Sequence, residues 1–200
     1  MTDLTVRRAE PADFDAIGRL TVSAYAADGQ LAGGNGYERV LADVPPRARE
    51  GELLVAADGG TGQVLGSVLF VLPGTAYAEL SDPGEAEFRM LAVDPAAQGR
   101  GVGATLVRAC IRRATELGCR AIVISTRSFS LPAQRLYARL GFQRMPERDW
   151  SPMAGVDLFA LRLDLAGQSA PLDLAGQSAP LDLAGQSSPA GSGPIRSTSS

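Results

Sequence analysis

Apolar and polar positions follow two different periods along the first 163 residues, which predicts a series of strands and helices. The run LTVRRAE alternates with period two and predicts a strand that reaches about residue 10. Pro11 and Asp13 then mark a helix start, and the helix is expected over residues 12–27. The run YERVLADV predicts a second, short helix, which Pro45 and Pro46 should end.

Three apolar runs in the middle of the chain predict further strands. ELLVAA and QVLGSVLFVL flank DGGTG, a glycine-rich connection that is typical of a β-hairpin. The third run, EAEFRMLAV, alternates and predicts an exposed strand with one polar face. That face would carry Glu85, Glu87 and Arg89, and the opposite face would carry Phe88 and Met90.

A strand, a helix and another strand are predicted next. Apolar residues recur with helical spacing over residues 102–117, arginines occupy the other face, and Gly118 ends the helix. AIVIST then predicts a short buried strand, so we expect a parallel βαβ unit here. A further helix is expected over residues 131–140, with Gly141 as its end, and GVDLFALRL predicts the last strand.

The composition changes after the last predicted strand. The nonapeptides LDLAGQSAP, LDLAGQSAP and LDLAGQSSP begin at Leu163, Leu172 and Leu181. Short repeats with a proline in each copy cannot bury a core, so we expect residues 164–200 to form a disordered, low-complexity tail. The alternative is a multivalent motif whose LDL units dock in a partner's groove and gain avidity by repetition.

Net charge and hydropathy argue against a protein that binds nucleic acid or a membrane. A formal charge of -3 and a pI near 5.1 argue against a chain that coats nucleic acid or an anionic membrane, because both need a basic surface. The first residues contain no apolar signal region, and the run VLGSVLFVL is too short to span a bilayer. A cytoplasmic protein with neither a nucleic-acid nor a membrane partner is therefore expected.

Missing residue types exclude several chemistries. The 19 basic residues are all arginine, and there is no histidine, so a P-loop or Schiff-base lysine, a histidine base and a histidine zinc ligand are all unavailable. Catalysis would have to use carboxylates, tyrosine, cysteine, serine or backbone groups. Cys110 and Cys119 lack C-x-x-C spacing and are expected to be buried, reduced thiols, with a disulfide or a metal pair as the alternative. No metal is expected.

A glycine cluster lies between the third strand of the middle region and the helix that follows it. In VDPAAQGRGVGATL, Gly99, Gly101 and Gly103 occupy alternate positions. Unpaired amides and the helix dipole make a helix start suitable for phosphate, and glycines let an anion approach the backbone. Arg100 adds a full charge. An ordinary turn is the alternative interpretation.

Two ligand classes fit this loop. Gly99, Gly101 and Ala104 satisfy the relaxed dinucleotide pattern G-x-G-x-x-G/A, with Arg127 as a reader of a 2′-phosphate. That fold places its loop directly after the first strand, whereas DPAAQ intervenes here and too little chain follows for the remaining strand and helix repeats. The same loop also satisfies R/Q-x-x-G-x-G/A, with Gln98, Gly101 and Gly103 in the fixed positions.

The order of this loop, a helix, a strand and PAQRLYARLGF resembles the acetyl-CoA-binding core of the GNAT N-acetyltransferase superfamily. The resemblance is strong over residues 85–142, looser over residues 4–163, and does not reach the tail. It implies one domain over residues 1–163. It also implies a mixed α/β fold, in which a mostly antiparallel sheet flanked by helices contains a central parallel βαβ unit.

The same resemblance implies where acetyl-CoA would bind. Loop amides would hold its pyrophosphate, and the pantetheine arm would pair with the preceding strand where two parallel strands separate. The loop residues are Gln98, Gly99, Arg100, Gly101, Val102, Gly103 and Ala104, and the strand residues are Leu91, Ala92 and Val93. Ser130 stands where many relatives have asparagine, and a serine has a shorter reach for that contact.

Two side chains are candidates for the chemistry. Tyr137 occupies the family's position for the general acid that protonates the departing thiolate, although a core tyrosine would fit the same apolar helix face. Glu87 stands where the histone-acetylating branch carries a glutamate base, whereas many members use water chains instead.

The main hypothesis is an N-acetyltransferase in which a primary amine attacks acetyl-CoA directly in a ternary complex. The rival is a non-catalytic acyl-CoA-binding regulatory module, which needs the glycines but neither Tyr137 nor Glu87. A small-molecule or peptide amine is expected as acceptor, and a monomer or a homodimer as the assembly. The segment over residues 25–50 and the loop MPERDWSPMAGV would shape the acceptor site.

Overall fold

The structure, a computed structural model, describes residues 3–31 and 36–165. Eight strands form one sheet: β1 (Leu4–Arg8), β2 (Glu52–Asp58), β3 (Val64–Val71), β4 (Glu85–Val93), β5 (Ala121–Arg127), β6 (Gln143–Arg144), β7 (Trp150–Met153) and β8 (Val156–Asp164). The α-helices are α1 (Phe14–Ala27), α2 (Tyr37–Ala42), α3 (Val44–Glu50), α4 (Val102–Glu116) and α5 (Leu131–Arg139). The predicted disordered tail lies, from residue 166 onward, outside the described residues.

The sheet is antiparallel except at its centre. The strands lie in the order β1-β2-β3-β4-β5-β8-β6, with β7 paired to β8. Among the described residues only β4 and β5 run parallel, joined by α4, and every other neighbouring pair is antiparallel. The predicted mixed sheet with a central parallel βαβ unit is therefore confirmed.

Helices cover both faces of the sheet. Leu54 and Ala56 of β2 belong to the main core with α4, while Leu53 and Val55 pack with Ile17 of α1. Alternate residues of one strand thus serve two cores, as the period-two geometry of a strand requires. No helix in the described parts of the chain has the length and apolar character needed to cross a membrane.

The two central strands separate after a short stretch of pairing. Their register runs from Glu85 opposite Ala121 to Glu87 opposite Val123. Beyond these pairs β4 continues to Val93, and within the described residues no further pairing with β5 occurs. The strands therefore leave an opening between them at the carboxyl end of β4.

A β-bulge in β4 changes which residues share a face. Met90 has φ 51°, and the pairing with β3 shifts between Ser67 and Leu69. One extra residue in a strand reverses the alternation that follows it. Phe88 accordingly packs in the main core with α4, whereas Ala92 packs with α1.

The sequence-based prediction of an exposed, polar β4 is wrong. Glu85 and Glu87 are each 1% exposed. Glu85 is covered by arginines that pair with it, among them Arg148 and Arg162, and Glu87 is covered by the segment that precedes the strand. Hydrophobic alternation therefore located this strand correctly but predicted wrongly that its polar face is exposed, because the groups that cover Glu85 and Glu87 come from other segments.

The prolines near residue 45 begin a helix rather than ending one. Helix α2 stops at Ala42, and α3 starts at Val44 with Pro45 and Pro46 in its first turn. The missing N–H of proline matters little there, because the first-turn amides have no intrahelical acceptor. The predicted end near these prolines was thus correct for α2 and missed α3.

The two cysteines are free thiols. Cys110 is buried in α4, and Cys119 is half-buried after it. Burial raises the pKa of both thiols, which keeps them protonated near neutral pH. The prediction of reduced thiols is confirmed, and full burial holds for Cys110 alone.

Asp13 ties the first helix to the first strand and gives a testable stability effect. Its carboxylate accepts hydrogen bonds from Arg7 at 2.6 and 2.9 Å and from the Glu10 amide at 2.8 Å. The Arg7 bond is the main cause that holds the pKa of Asp13 below its ordinary value. We expect Asp13→Asn to lower the free energy of unfolding by about 1–2 kcal/mol at pH 7.

The pH dependence of that effect has a definite sign. A carboxyl group whose pKa is lower in the folded state stabilises the fold above its unfolded pKa, and this stability is lost as pH falls through the folded pKa. The difference between wild type and Asp13→Asn should therefore shrink as pH falls below about 4. Urea denaturation at several pH values measures it, and a difference that does not change with pH would contradict this role.

Candidate active site

The glycine loop lies at the carboxyl end of β4, beside the opening between β4 and β5. It connects a short 3-10 turn, Pro95–Ala97, to the first turn of α4. Helix α5 follows the carboxyl end of the neighbouring β5. Because the carboxyl ends of parallel strands share one edge of a sheet, the loop and α5 border the same opening.

Two loop glycines have a conformation that L side chains rarely adopt. Gly99 has φ 78° and Gly101 has φ 83°, and a Cβ at either position would meet no atom within 4 Å. Backbone angle, rather than crowding by the protein, requires glycine here. Open space lies where the side chains would be.

Gly103 differs from the other two. It lies in the first turn of α4, and a Cβ there would lie 3.4 Å from Leu136 and 3.5 Å from Val93. These are ordinary van der Waals contacts. Alanine would therefore fit at Gly103, in agreement with the G/A position of the sequence pattern.

Several loop amides have no acceptor among the residues that the structure describes. The Gly99 and Gly101 amides donate to no described residue outside the regular elements. The first hydrogen bond of α4 runs from the Thr105 amide to the Gly101 carbonyl. The preceding first-turn amides, those of Val102, Gly103 and Ala104, therefore have no acceptor within the helix. The loop therefore presents a group of free N–H donors at the positive end of a helix dipole.

The other two loop amides are used within the loop. Gln98 donates to the Pro95 carbonyl at 3.4 Å and Arg100 to the Ala97 carbonyl at 3.3 Å. The Arg100 guanidinium pairs with Asp58 at 3.0 Å. Since a guanidinium has five N–H donors, this pair leaves others for an anion.

The strand before the loop has one side free for a ligand. Val93 and Ala92 of β4 pair with Gly66 and Ser67 of β3, and Leu91 lies at the bulge. The opposite side faces the opening towards β5, where pairing has ended. Backbone groups on that side are available to an extended ligand, as at any sheet edge.

Tyr137 of α5 is held by aromatic packing. It is 4% exposed, its ring centroid lies 5.8 Å from that of Phe88 and 5.8 Å from that of Phe142, and its hydroxyl has no hydrogen bond to a described residue. Burial raises the pKa of Tyr137, so the phenol keeps its proton at neutral and moderately alkaline pH. A fixed ring with an unpaired, protonated hydroxyl can act as a proton donor.

Glu87 anchors the segment before β4 through one oxygen. Its Oε2 accepts the amides of Glu79, Leu80 and Ser81 at 3.1, 2.9 and 3.0 Å. Its Oε1 lies 3.9 Å from Nε of Arg89. Burial raises the pKa of Glu87, and the amide bonds and Arg89 oppose that shift. Oε1 is thus the oxygen with capacity for a further proton or water.

The two candidate catalytic residues lie on opposite faces of β4. Phe88 contacts Tyr137 on the α4 side, and successive strand residues point to opposite faces, so Glu87 points to the α1 side. A group located in the opening between β4 and β5 could be approached from both sides. The arrangement can therefore separate a proton donor from a proton acceptor.

Ser130 and Gln134 shape the turn into α5. Ser130 is 6% exposed and precedes α5 without capping it through its side chain. Gln134 Nε2 donates to the carbonyls of Arg127 at 3.1 Å and Ser128 at 2.9 Å. Sequence reasoning missed Gln134, whose only signal is its place one turn into the PAQRLY motif.

The described residues contain no group of three or more histidine, cysteine, aspartate or glutamate side chains that could hold a metal ion.

Comparison with known proteins identifies the family. The model of the acetyltransferase (GNAT) family matches residues 21–142. A mycothiol acetyltransferase from Nocardioides sp. is 36% identical over 149 residues, which is 70% of this chain and 50% of that protein. The N-alpha-acetyltransferase RimI of Mycobacterium tuberculosis is 31% identical over 121 residues, or 60% of this chain and 75% of RimI.

A solved structure shows the same fold. YncA from Salmonella typhimurium, determined with its cofactor acetyl-CoA, superposes with a TM-score of 0.58 at 27% identity, covering 84% of this chain and 97% of YncA. The chain spans about half the length of the Nocardioides relative, so the match there extends to part of that protein. Family model, relatives and fold agree that the chain belongs to the GNAT acetyltransferase family.

Proposed function

We propose that this protein transfers the acetyl group of acetyl-CoA to a primary amine, which attacks directly in a ternary complex. The observation that carries the proposal is the group of free amides of Gly99 and of Gly101 to Ala104, at the carboxyl end of β4 where its pairing with β5 has ended. Helix starts with free amides bind phosphate groups, and the opening exposes a strand edge suited to an extended arm.

The residues present fit acetyl-CoA. Open space at the Cβ positions of Gly99 and Gly101 leaves room for a diphosphate against the backbone. The proposed contacts are the loop residues Gln98, Gly99, Arg100, Gly101, Val102, Gly103 and Ala104, the strand residues Leu91, Ala92 and Val93, and Ser130 before α5. The Arg100 guanidinium would add a charged contact to the diphosphate through the N–H donors that Asp58 does not use.

Tyr137 would supply the proton for the leaving group. Acetyl-CoA, when bound, supplies a thioester whose departing thiolate must be protonated. Tyr137 holds a proton on a hydroxyl that has no described hydrogen-bond partner, and its raised pKa keeps the phenol protonated at neutral pH. Phe88 and Phe142 fix the ring, so the donor does not have to be ordered on binding.

Glu87 would remove the proton from the acceptor ammonium, directly or through water. Its three amide bonds hold the carboxylate in one orientation and leave Oε1 as the proton acceptor. A carboxyl pKa raised by burial makes a stronger base than an exposed glutamate. Its position on the face opposite to Tyr137 keeps the two proton transfers apart.

The acceptor is proposed from chemistry and from the relatives together. One relative is named a mycothiol acetyltransferase and another an N-alpha-acetyltransferase, so the two names give different acceptors. We propose a small-molecule or peptide amine for this chain. A cytoplasmic location, a monomer or homodimer, and the lack of nucleic-acid and membrane partners stay predictions from the sequence.

Glu87→Gln should lower kcat by about tenfold at pH 7 and by less at pH 9. Glutamine keeps an oxygen that can accept the amides of Glu79, Leu80 and Ser81, but it cannot take up a proton. Since an alkyl amine has a pKa near that of lysine, about 10, alkaline solvent supplies more free amine and replaces the base. A pH profile of kcat for wild type and variant measures the effect, and parallel profiles would remove Glu87 from proton transfer.

A coenzyme A release assay over a panel of amines tests the proposed function. Acetyl-CoA should first raise the melting temperature of the protein, which shows binding to the folded state. At least one primary amine should then release coenzyme A and form its acetamide, identified by mass spectrometry. Binding of acetyl-CoA without transfer to any amine would instead support the non-catalytic acyl-CoA-binding module.

A further inference from the structure

Arg47 of α3 is a buried cation with no anionic partner among the described residues. The residue is 1% exposed. Its Nη1 donates to Sδ of Met90 at 3.3 Å, and its Nη2 donates to the Leu41 carbonyl at 2.8 Å. Its Nε is buried with no hydrogen-bond partner. Within the described residues, no carboxylate lies within ion-pair distance of this guanidinium.

Such an arrangement is energetically unfavourable in the free protein. A buried charge is normally paired, and a buried donor without an acceptor loses its hydrogen bonds to water. Burial lowers the pKa of Arg47, but an arginine stays protonated under all ordinary conditions. Asp43, at the start of α3, is exposed and makes no ion pair with it. Among the described residues, no anion therefore offsets this positive charge.

Arg47 is located at the proposed acceptor side of the site. Met90, its sulfur acceptor, is the residue of the β4 bulge, directly before the strand segment assigned to acetyl-CoA. Arg47 approaches β4 from α3, which packs on the α1 side of the sheet, the side to which Glu87 points. A cation for binding and a carboxylate for proton removal thus lie on one face of one strand.

Tyr25 is carried by α1, which packs on the same side of the sheet as α3 with Arg47. Tyr25 is half-buried on α1, and its ring lies 6.2 Å from that of Tyr37 on α2. Burial raises the pKa of Tyr25, and the positive charges of Arg89 and Arg47 oppose that rise.

We propose that Arg47 binds a carboxylate of the acceptor, and that the substrates of this enzyme are primary amines that also carry a carboxylate, such as α-amino acids. The assignment rests on the proposed acetyl transfer. A carboxylate accepts two N–H groups of a guanidinium at once, and Nε, still without an acceptor, is one of them. Since Arg47 is 1% exposed, a side chain that covers it must turn away as the acceptor enters.

Matched acceptors test the assignment on the wild-type protein. The set consists of several α-amino acids, their carboxamides and the corresponding decarboxylated amines, each assayed by coenzyme A release. The preferred amino acid should have a kcat/KM at least about tenfold above its amide and its amine, as one charge-assisted hydrogen bond implies. Equal or better turnover of the amide or the amine would overturn the assignment.

Two variants test whether Arg47 causes the preference for acceptors that carry a carboxylate. Arg47→Gln should raise KM for the amino acid about tenfold and leave the decarboxylated amine unchanged, so that the preference disappears. Arg49→Gln, on the exposed side of the same helix, should retain the preference. A purely structural arginine would lower the melting temperature and slow both acceptors equally, which would contradict the proposal.

The two hypotheses fail in different ways. Turnover of amines without regard to a carboxylate overturns the role of Arg47 and leaves acetyl transfer intact. Binding of acetyl-CoA without turnover of any amine overturns the proposed function and the acceptor assignment with it. If Arg47→Gln does not fold, the comparison of acceptors on the wild-type protein still decides the question.

Discussion

Replacing Tyr137 with phenylalanine should lower kcat by about 100-fold or more and leave the affinity for acetyl-CoA nearly unchanged. The ring packs against Phe88 and Phe142, and phenylalanine preserves both contacts. The hydroxyl makes no hydrogen bond with a described residue, so its removal leaves no group unpaired and should hardly change the melting temperature. Steady-state kinetics and calorimetry on the same preparations separate turnover from binding.

Tyr77→Phe is the matched control. Tyr77 is half-buried, and its contact with Arg89 is made by the backbone carbonyl, so loss of its hydroxyl should not affect turnover. The raised pKa of Tyr137 adds a second expectation: the rate should not fall near pH 10, where an ordinary tyrosine loses its proton. Unchanged kcat in Tyr137→Phe would exclude the general-acid role.

Gly101→Ala should weaken acetyl-CoA binding by about 100-fold, which corresponds to about 2.7 kcal/mol. The methyl group would enter the open space beside the free amides, where the diphosphate is proposed to lie. Alanine at φ 83° also costs about 1–2 kcal/mol in the free protein, which denaturation measures separately. The loss of affinity should therefore exceed what the loss of stability explains.

Gly103→Ala provides the comparison on the same loop. Its Cβ would make ordinary contacts with Leu136 and Val93, on the protein side of the helix. Alanine also favours a helix over glycine by about 1 kcal/mol, so this variant should bind acetyl-CoA normally and be no less stable. Equal affinity in Gly101→Ala and Gly103→Ala would show that the diphosphate lies elsewhere.

Local sequence signals located the elements that build the site. β4 runs from Glu85 to Val93, as its apolar run and the following Asp94 and Pro95 indicated, and α4 begins at Val102, directly after the glycines. These boundaries depend on short-range causes, which are strand alternation, proline and glycine angles, and helix periodicity. The short strands β6 and β7 were missed because, at two and four residues, they are too short to show a period, and they depend on pairing with β8.

Which β4 side chains share a face, and which of them are buried, depends on contacts with other segments that a local sequence pattern does not show. The bulge at Met90 reverses the alternation, so Phe88 and Met90 do not share a face as predicted. Glu87 is buried because a segment six to eight residues earlier folds over it and donates three amides. Tertiary coverage of this kind overrides the rule that charged positions face water.

The glycine loop illustrates both the strength and the limit of sequence reasoning. The spacing of Gly99 and Gly101 pointed to a ligand against the backbone, on the argument that side chains had been removed to make room. The structure adds a different cause, because both residues have positive φ and would need glycine in any case. A ligand is therefore indicated by the group of free amides and the open space beside them, rather than by the glycines alone.

Arg47 could not have been recognised from its sequence context. It lies in PPRARE beside Arg49, and nothing in that run distinguishes the buried arginine from the exposed one. Its burial and its missing partner follow from the packing of α3 against the bulge of β4.

The central claim is that the free amides at the start of α4 hold the diphosphate of coenzyme A. Calorimetric titration of the wild-type protein with coenzyme A and with pantetheine, which lacks the diphosphate, tests it most directly. We expect measurable heat and a dissociation constant for coenzyme A at least about 100-fold below that for pantetheine. No heat with coenzyme A, or equal affinity for the two ligands, would contradict it.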